Sequence, residues 1–216
     1  MKELKFDANL GFQQEAIQAI TDIFKGQKVC QSNFTVRKTE VEENLKFDVQ
    51  GYSNQLELLP EEILENVHAI QLRNGLAQSP EALTRTMNFS IWMETGTGKT
   101  YVYLRTIFEL NKLYGWTKFI IVVPSIAIKE GVKNSLDLMS NHFKAQYSNV
   151  PFDYFIYDSG KLNQVRNFAV SSNIQIMIIN IDAFRKVADN PDKESKANII
   201  HRYHDKMLGK PIDFIA

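Results

Sequence analysis

The stretch from Asn88 to Thr100 constrains the fold more than any other part of the chain. An apolar strand is predicted at Asn88–Trp92, and it runs directly into Met93-Glu94-Thr95-Gly96-Thr97-Gly98-Lys99-Thr100. Residues 101–114 then have the apolar spacing of a buried helix. A glycine-rich turn that joins a strand to a helix and ends in Gly-Lys-Thr is the setting in which phosphate loops occur. The sequence therefore predicts a nucleotide site here.

Each residue type in this loop suits the binding of phosphate. Gly96 and Gly98 allow a tight turn whose N–H groups point inward at a helix N-terminus, where negative charge is favoured. Lys99 is expected to reach the β- and γ-phosphates, and the Thr100 hydroxyl to complete the shell of a Mg²⁺ ion. The general pattern has glycine where this chain has Met93. The competing interpretation is a glycine-rich turn with an incidental lysine.

Composition narrows the class of protein less than the loop does. The 25 basic and 25 acidic side chains balance, so any contact with DNA has to come from a local patch. Cys30 is the sole cysteine, which excludes an internal disulfide and suits a reducing cytosol. No stretch approaches the roughly 20 apolar residues that span a bilayer. We expect a cytoplasmic protein that does not cross a membrane.

Strands and helices alternate after the loop. Strands are predicted at Lys118–Val123, Tyr154–Tyr157, Ile174–Ile179 and Ile212–Ala216, with helices between them. This alternation predicts an α/β fold with a mostly parallel sheet and helices on both faces. Ligands of such sheets bind at the carboxyl ends of the strands. We expect the phosphate loop, Pro124-Ser125 and Asn180-Ile181-Asp182 to meet at that edge.

The residues before the loop fall into two parts. Residues 11–25 have apolar side chains, among them Phe12, at helical spacing. Gln13 lies in the first turn of this helix, and its amide could pair with the adenine edge or simply face solvent. Residues 27–85 combine β-type runs with a helix predicted at Pro60–Leu72. We expect 27–85 to be an insertion packed on the main sheet.

Four segments together give the chain a family resemblance. They resemble superfamily 2 helicase-like ATPases, and more closely the Res subunits of type III restriction-modification enzymes. The segments are Phe12-Gln13-Gln14-Glu15-Ala16-Ile17, Asn54-Gln55-Leu56, the loop at 93–100, and the run from Lys118 to Val132. The resemblance covers essentially the whole chain. It implies that residues 1–216 are a first RecA-like motor domain of the P-loop NTPase class.

The resemblance also implies roles for individual residues. Gln13 would contact adenine, and residues 93–100, including Thr95 and Thr97, would bind the triphosphate and Mg²⁺. Pro124, Ser125 and Asn180 match positions that face DNA in related motors, although Ser125 could equally be a helix cap. Lys129 could meet DNA phosphates or be part of a solvated helix face. In the family an Asp-Glu pair follows the strand that begins near Ile212, whereas this sequence ends at Ala216.

The implied activity is that of a longer parent protein. It would couple ATP hydrolysis to movement on, or switching upon, double-stranded DNA, and so to endonuclease cleavage, with a methylation (Mod) subunit as its partner. We expect the 216-residue chain to bind ATP but to hydrolyse it poorly, because phosphoryl transfer needs further positioned groups. A superfamily 2 helicase outside restriction and a non-catalytic ATP- or DNA-binding module remain alternatives. A small-molecule kinase is a weaker one, since no lid region is identifiable.

Overall fold

The alternation of strands and helices predicted from the sequence is present in the fold. The computed structural model describes residues 6–36, 49–80, 87–158, 160–185 and 213–215. In chain order the elements are α1 (Gly11–Asp22), β1 (Gln31–Val36), β2 (Val49–Asn54), α2 (Pro60–Arg73), β3 (Asn88–Ser90), α3 (Lys99–Tyr114), β4 (Lys118–Val123), α4 (Ile126–Gln146), β5 (Phe152–Ile156), α5 (Leu162–Val170), β6 (Ile174–Asn180), α6 (Asp182–Arg185) and β7 (Asp213–Ile215).

The strands that follow α2 pair in parallel, as expected. β6 lies between β4 and β5 in a three-stranded sheet, and β3 pairs with β7. The central position of β6 explains its largely apolar sequence, because residues 174–179 are all buried, and its one polar member, Gln175, donates a hydrogen bond to Asp153. β1 and β2 form an antiparallel hairpin earlier in the chain. The predicted α/β class with a mostly parallel arrangement of strands is confirmed.

Helices cover both faces of the three-stranded sheet. On one face, Leu104 and Phe108 of α3 and Leu136 and Phe143 of α4 pack with the sheet's Ile176 and its neighbours. On the other face, α5 packs its apolar side against the sheet. The residues of that second contact are Val165, Phe168, Ala169, Met177, Ile120 and Phe155. The helix α3 that carries Lys99 is therefore fixed by the main core of the molecule.

A separate core holds α1, α2 and β3 against the far side of α3. It is formed by buried side chains that include Phe24, Ile63, Phe89 and Tyr114, with Trp116 at an edge-on ring distance of 4.8 Å from Phe24. The loop at 91–98 thus connects β3, which packs against one side of α3, to the N-terminus of α3. Both ends of the loop are consequently anchored.

Three predicted faces need correction. Phe12 is 48% exposed, and Gln13, only 7% exposed, is buried in its place. Gln13 continues the line of Ile17, Ile20 and Phe24 at spacings of four, three and four residues, so the inward face of the helix lies to one side of Phe12. The apolar spacing of α4 predicts a core stripe of Ile128, Val132 and Leu136, but Ile128 lies in the first turn and is exposed. The apolar run at 118–123 likewise predicts a fully buried strand, but Val122 in β4 is exposed.

The residues before the loop contact the main sheet through Asn54. Its side-chain oxygen accepts hydrogen bonds from the backbone N–H groups of Thr117 (2.8 Å) and Lys118 (3.0 Å), and its amide nitrogen donates to the Lys118 carbonyl (2.7 Å). The amide therefore pairs with the start of β4 as a neighbouring strand would. This contact agrees with the expected packing of 27–85 on the sheet. The domain boundaries themselves stay a prediction.

Lys118 is the unusual residue of this edge. Its side chain is almost completely buried, its ammonium group donates to the Ser171 carbonyl at the end of α5, and it lies 5.7 Å from the centre of the Phe168 ring. A cation is well placed near a helix C-terminus, but removal from water disfavours its charged form. Burial lowers the pKa of Lys118 to about 8.

This pKa predicts a pH dependence of stability. An unfolded lysine titrates near about pH 10.4, so between pH 8 and 10 the unfolded chain binds more protons than the folded chain. The free energy of unfolding should therefore rise by about 1–2 kcal/mol from pH 7.5 to 9.5 in the wild type, and this increment should be absent from Lys118→Met. Urea unfolding of both proteins at the two pH values measures the difference, and other titrating groups cancel in the comparison. If the free energy of unfolding changes equally with pH in the two proteins, the lowered pKa of Lys118 is contradicted.

Candidate functional site

The loop between β3 and α3 has the backbone geometry that its glycines predict. Gly96 has φ +83° and Gly98 has φ +81°, both in the left-handed region that favours glycine. Gly98 is the N-cap residue of α3, and the first helical hydrogen bond runs from Val102 N to the Gly98 carbonyl at 3.1 Å. A tight turn therefore delivers the chain directly into the helix that begins at Lys99.

The N-terminus of α3 is suited to an anion. Gly98 has no side chain to cap the first N–H groups, and the first turn of α3 contains no acidic residue. The unpaired N–H groups and the helix dipole therefore present positive potential to the loop. Thr95 and Gly96 are exposed, whereas Thr97, Lys99 and Thr100 are half-buried. The loop is accessible from solvent on one side and supported on the other.

Lys99 lies over this loop. Its ammonium group donates to the Glu94 carbonyl at 2.9 Å, and the Thr97 hydroxyl donates to the same carbonyl at 2.7 Å. An ammonium group has three N–H donors, so two remain for a ligand while the loop contact is kept. The lysine is thus held next to the helix N-terminus, and no acidic side chain of the described residues forms an ion pair with it. Its charge adds to that of the N–H groups.

Gln13 joins the site from the other end of the sequence. Its Nε2 atom donates to the Thr97 carbonyl at 2.9 Å, so the amide lies against the loop and does not face solvent. Gln14 and Glu15 are exposed, as glutamines and glutamates at a helix start usually are. The solvated interpretation is therefore wrong for Gln13 and right for its neighbours. The spacing from Gln13 to Ile17, Ile20 and Phe24 was the sequence signal that distinguishes them.

The contact between Gln13 and the loop depends on the glycine at position 98. A Cβ atom at Gly98 would lie 2.6 Å from Gln13 Nε2, closer than carbon and nitrogen can approach. At Gly96, by contrast, a Cβ atom would meet nothing within 4 Å. Gly98 therefore suits its left-handed backbone conformation, and it also leaves free the space that the end of the Gln13 side chain occupies.

The residues predicted to face DNA follow β4 and β6. These strands are neighbours, with Val123 opposite Asn180, and Ile181 N extends the pairing to the Val123 carbonyl at 2.9 Å. Pro124 is exposed. The structure therefore brings the ends of these two strands together at one edge of the three-stranded sheet, while a meeting of that edge with the phosphate loop stays a prediction.

Two of these residues have local structural roles. Ser125 is the N-cap residue of α4, and its hydroxyl accepts a hydrogen bond from Ile128 N at 3.3 Å. The Asn180 side chain accepts from Asp182 N at 2.8 Å, which turns the chain after β6. The helix-cap interpretation of Ser125 is thus confirmed. Lys129 is half-buried in the first turn of α4, whereas Lys133 is paired with Asp137 at 3.0 Å.

A metal at this site would depend on few protein groups. Within the described ranges, no group of three or more His, Cys, Asp or Glu side chains could hold a metal ion. Thr100, the second residue of α3, is the predicted metal ligand beside the loop. Asp213 is the first residue of β7 and lies opposite Asn88 of β3.

No helix in the described part of the chain is long and apolar enough to cross a membrane.

The pattern of loop, helix and strand ends coincides with a family profile. The profile described as "Type III restriction enzyme, res subunit" matches residues 11–205, which include Gln13, the loop, α3 and the strands β4 to β6. The chain belongs to this Res-subunit family. The resemblance inferred from the four sequence segments is therefore confirmed, and the chain is a helicase-like domain of the type III restriction class.

Individual relatives agree with the profile. The chain is 30% identical over 196 residues to the type III restriction-modification enzyme EcoP15I Res subunit of Escherichia coli, and equally to the EcoPI Res subunit of Escherichia phage P1. Each alignment covers 83% of this chain and 19% of the relative. The StyLTI Res subunit of Salmonella typhimurium is 40% identical over 110 residues, covering 43% of this chain and 11% of that protein. The chain thus spans about a fifth of the length of the first two relatives.

The short distance between position 98 and the Gln13 amide predicts that substitutions at these two positions have non-additive effects on stability. Gly96→Ala and Gly98→Ala both place alanine in a left-handed conformation, but Gly98→Ala should destabilise the protein by roughly 1 kcal/mol more, since it also displaces the Gln13 amide. In a Gln13→Ala background this excess should disappear. Urea unfolding measures this excess when Gly96→Ala and Gly98→Ala are each compared alone and in combination with Gln13→Ala. An excess that persists without Gln13 would show that the amide is not its cause.

Proposed function

We propose that this chain binds ATP with Mg²⁺ at the loop from Thr95 to Thr100. The observation that supports the proposal is the uncapped N-terminus of α3, which follows two left-handed glycines and lies next to the Lys99 ammonium group. Backbone N–H groups, a helix dipole and a cation then converge on one exposed loop. A polyphosphate is the ligand whose charge and shape suit them.

The residues of the loop divide the work of binding. The backbone of Thr95, Gly96, Thr97 and Gly98 surrounds the phosphates, and Lys99 places its free N–H donors on the β- and γ-phosphates. Thr100 supplies a hydroxyl ligand to Mg²⁺, whose other ligands are phosphate oxygens and water. When bound, Mg²⁺ neutralises part of the phosphate charge. Lys99 and Thr100 are the residues assigned to catalysis in the parent protein.

Gln13 is assigned to the adenine base. Its Nε2 atom is engaged with the Thr97 carbonyl, so the amide is held at the loop and its Oε1 atom can accept from the adenine amino group. One side chain would thereby connect the base with the phosphate-binding backbone. A preference for adenine over guanine is the consequence, because guanine has an acceptor oxygen in place of that amino group.

For the longer protein, we propose coupling of ATP hydrolysis to movement on double-stranded DNA, or to a switch upon it, and so to cleavage. Membership of the Res-subunit family supports this, and a methylation subunit is the proposed partner. Phosphoryl transfer needs a positioned water and groups that stabilise transition-state charge, in addition to the groups that bind nucleotide. We therefore propose that the 216-residue chain binds ATP and turns it over slowly.

Calorimetry with MgATP tests the nucleotide site. Wild type should bind, and Lys99→Ala should weaken binding roughly 100-fold or more, because a charge-assisted contact to two phosphates is lost. Lys112→Ala is the matched control, since Lys112 lies on the same helix and its side chain is 66% exposed. It should bind as wild type does. Absence of binding heat from folded wild type, or rapid DNA-stimulated turnover by this chain, would contradict the proposal.

We further propose that the ends of β4 and β6 contact the DNA backbone. Pro124, Ser125 and Asn180 are adjacent there, and Lys129 lies one turn into α4 with no acidic partner within ion-pairing distance among the described residues. Lys133 is less suitable because Asp137 already neutralises it. Lys129 is therefore the cation assigned to a DNA phosphate.

Salt dependence tests the assignment of Lys129. If this ammonium group neutralises one phosphate, Lys129→Glu should make the negative slope of log K against log salt concentration shallower by about one. Lys144→Glu makes the same charge change in the last turn of α4 and should leave the slope unchanged. Duplex binding measured between 50 and 200 mM salt, roughly the range in which such slopes are resolved, gives the comparison. Equal slopes for both variants would remove Lys129 from the interface.

A further inference from the structure

Arg105 contacts the chain segment that precedes Gln13. It lies on α3, six residues after Lys99, and its Nη1 atom donates to the Ala8 carbonyl at 2.6 Å. The Gln14 amide donates to the same carbonyl at 3.2 Å. Residues that approach α1 are thus attached to the helix that carries the phosphate-binding lysine, across 97 positions of sequence.

The guanidinium group is itself fixed in place. Its Nε atom donates to the Tyr147 hydroxyl at 3.3 Å, and that hydroxyl donates to Glu109 Oε1 at 2.7 Å. The Glu109 carboxylate also lies 3.8 Å from Arg105 Nη2, and the Arg105 side chain is only 11% exposed. The Tyr101 ring is 6.0 Å from the guanidinium carbon. Arg105 is therefore a largely buried side chain held by several contacts, unlike the exposed ion pairs of the surface.

The start of α1 needs such an anchor. Its N-cap residue, Leu10, makes no side-chain capping hydrogen bond, and Phe12 in the first turn is exposed. Gln13, one residue further, is the buried residue of this turn, and its amide reaches the Thr97 carbonyl. The position of that amide consequently depends on how the segment from Ala8 to Leu10 is held.

The other end of α1 is held by the same helix in a different place. The Tyr114 hydroxyl, in the last turn of α3, donates to the Thr21 carbonyl at 2.8 Å, and both groups are buried. α1 is therefore attached to α3 at its beginning through Arg105 and at its end through Tyr114. Only the first attachment is close in sequence to Gln13.

We propose that Arg105 is a positioning residue for the adenine side of the nucleotide site. By holding the Ala8 carbonyl, it sets the first turn of α1, and with it the Gln13 amide, at a fixed place relative to the phosphate loop. Arg105 does not touch the nucleotide. This inference rests on the proposed ATP site and adds the group that determines how far the base contributes to affinity.

The test compares two magnesium complexes that differ in whether a base is present. Calorimetry of the 216-residue chain with MgATP and with magnesium tripolyphosphate separates the base from the phosphates. Arg105→Met keeps most of the apolar stem and removes the donors. It should weaken ATP roughly tenfold while tripolyphosphate stays within about twofold, because a charged hydrogen bond is lost on the base side alone. Arg105→Lys, which can still donate to Ala8, should recover part of the ATP affinity.

Tyr114→Phe is the matched control. It removes the attachment at the far end of α1, so it should lower the melting temperature and leave the ratio of ATP to tripolyphosphate affinity unchanged. If Arg105→Met weakens both ligands equally, or neither, the positioning role is overturned. If wild type binds the two ligands with equal affinity, the base contributes nothing and this inference fails, while the phosphate loop stands. If wild type binds neither, the proposed function itself fails.

Discussion

The missing side chain at position 98 is the constraint on which the region around the loop depends. Glycine there allows the left-handed turn that starts α3, and it leaves room for the Gln13 amide to bond the Thr97 carbonyl. One small residue therefore connects the loop, α1 and α3. An alanine would have to displace either the backbone or the glutamine. The local turn at Gly98 and the long-range contact of Gln13 with Thr97 therefore depend on the same residue.

The parts of the fold that were predictable from the sequence are those determined locally. The phosphate loop with its glycines and lysine, the largely apolar strand β6, and the end of α3 at the left-handed Gly115 follow from neighbouring residues alone. The family resemblance was predictable for a similar reason, since its segments lie in these local elements. Two of these segments contain Gln13 and the phosphate loop, which are in contact, whereas Asn54 of a third segment contacts the start of β4.

The remaining features depend on which distant groups meet. Lys118 is the first residue of a strand, where a lysine is usually exposed to solvent. It is buried here because its side chain contacts the end of α5 at Ser171. Val122 and Ile128 are apolar in sequence, but the elements that the structure describes leave each about half exposed. Arg105 has one sequence signal, its spacing of four residues from both Tyr101 and Glu109, but the Ala8 carbonyl it binds cannot be inferred from spacing. Tertiary contacts decide these cases, and helical or strand periodicity does not encode them.

Asn54 joins the end of β2 to the start of β4 through a single side-chain amide. Three hydrogen bonds of one amide serve the start of β4, so the last residue of β2 itself helps to set the position of that strand. Related proteins could therefore vary other residues of β1 and β2 during divergence, and an engineer could recompose them, while an asparagine at the exit of β2 keeps the register of the neighbouring strand.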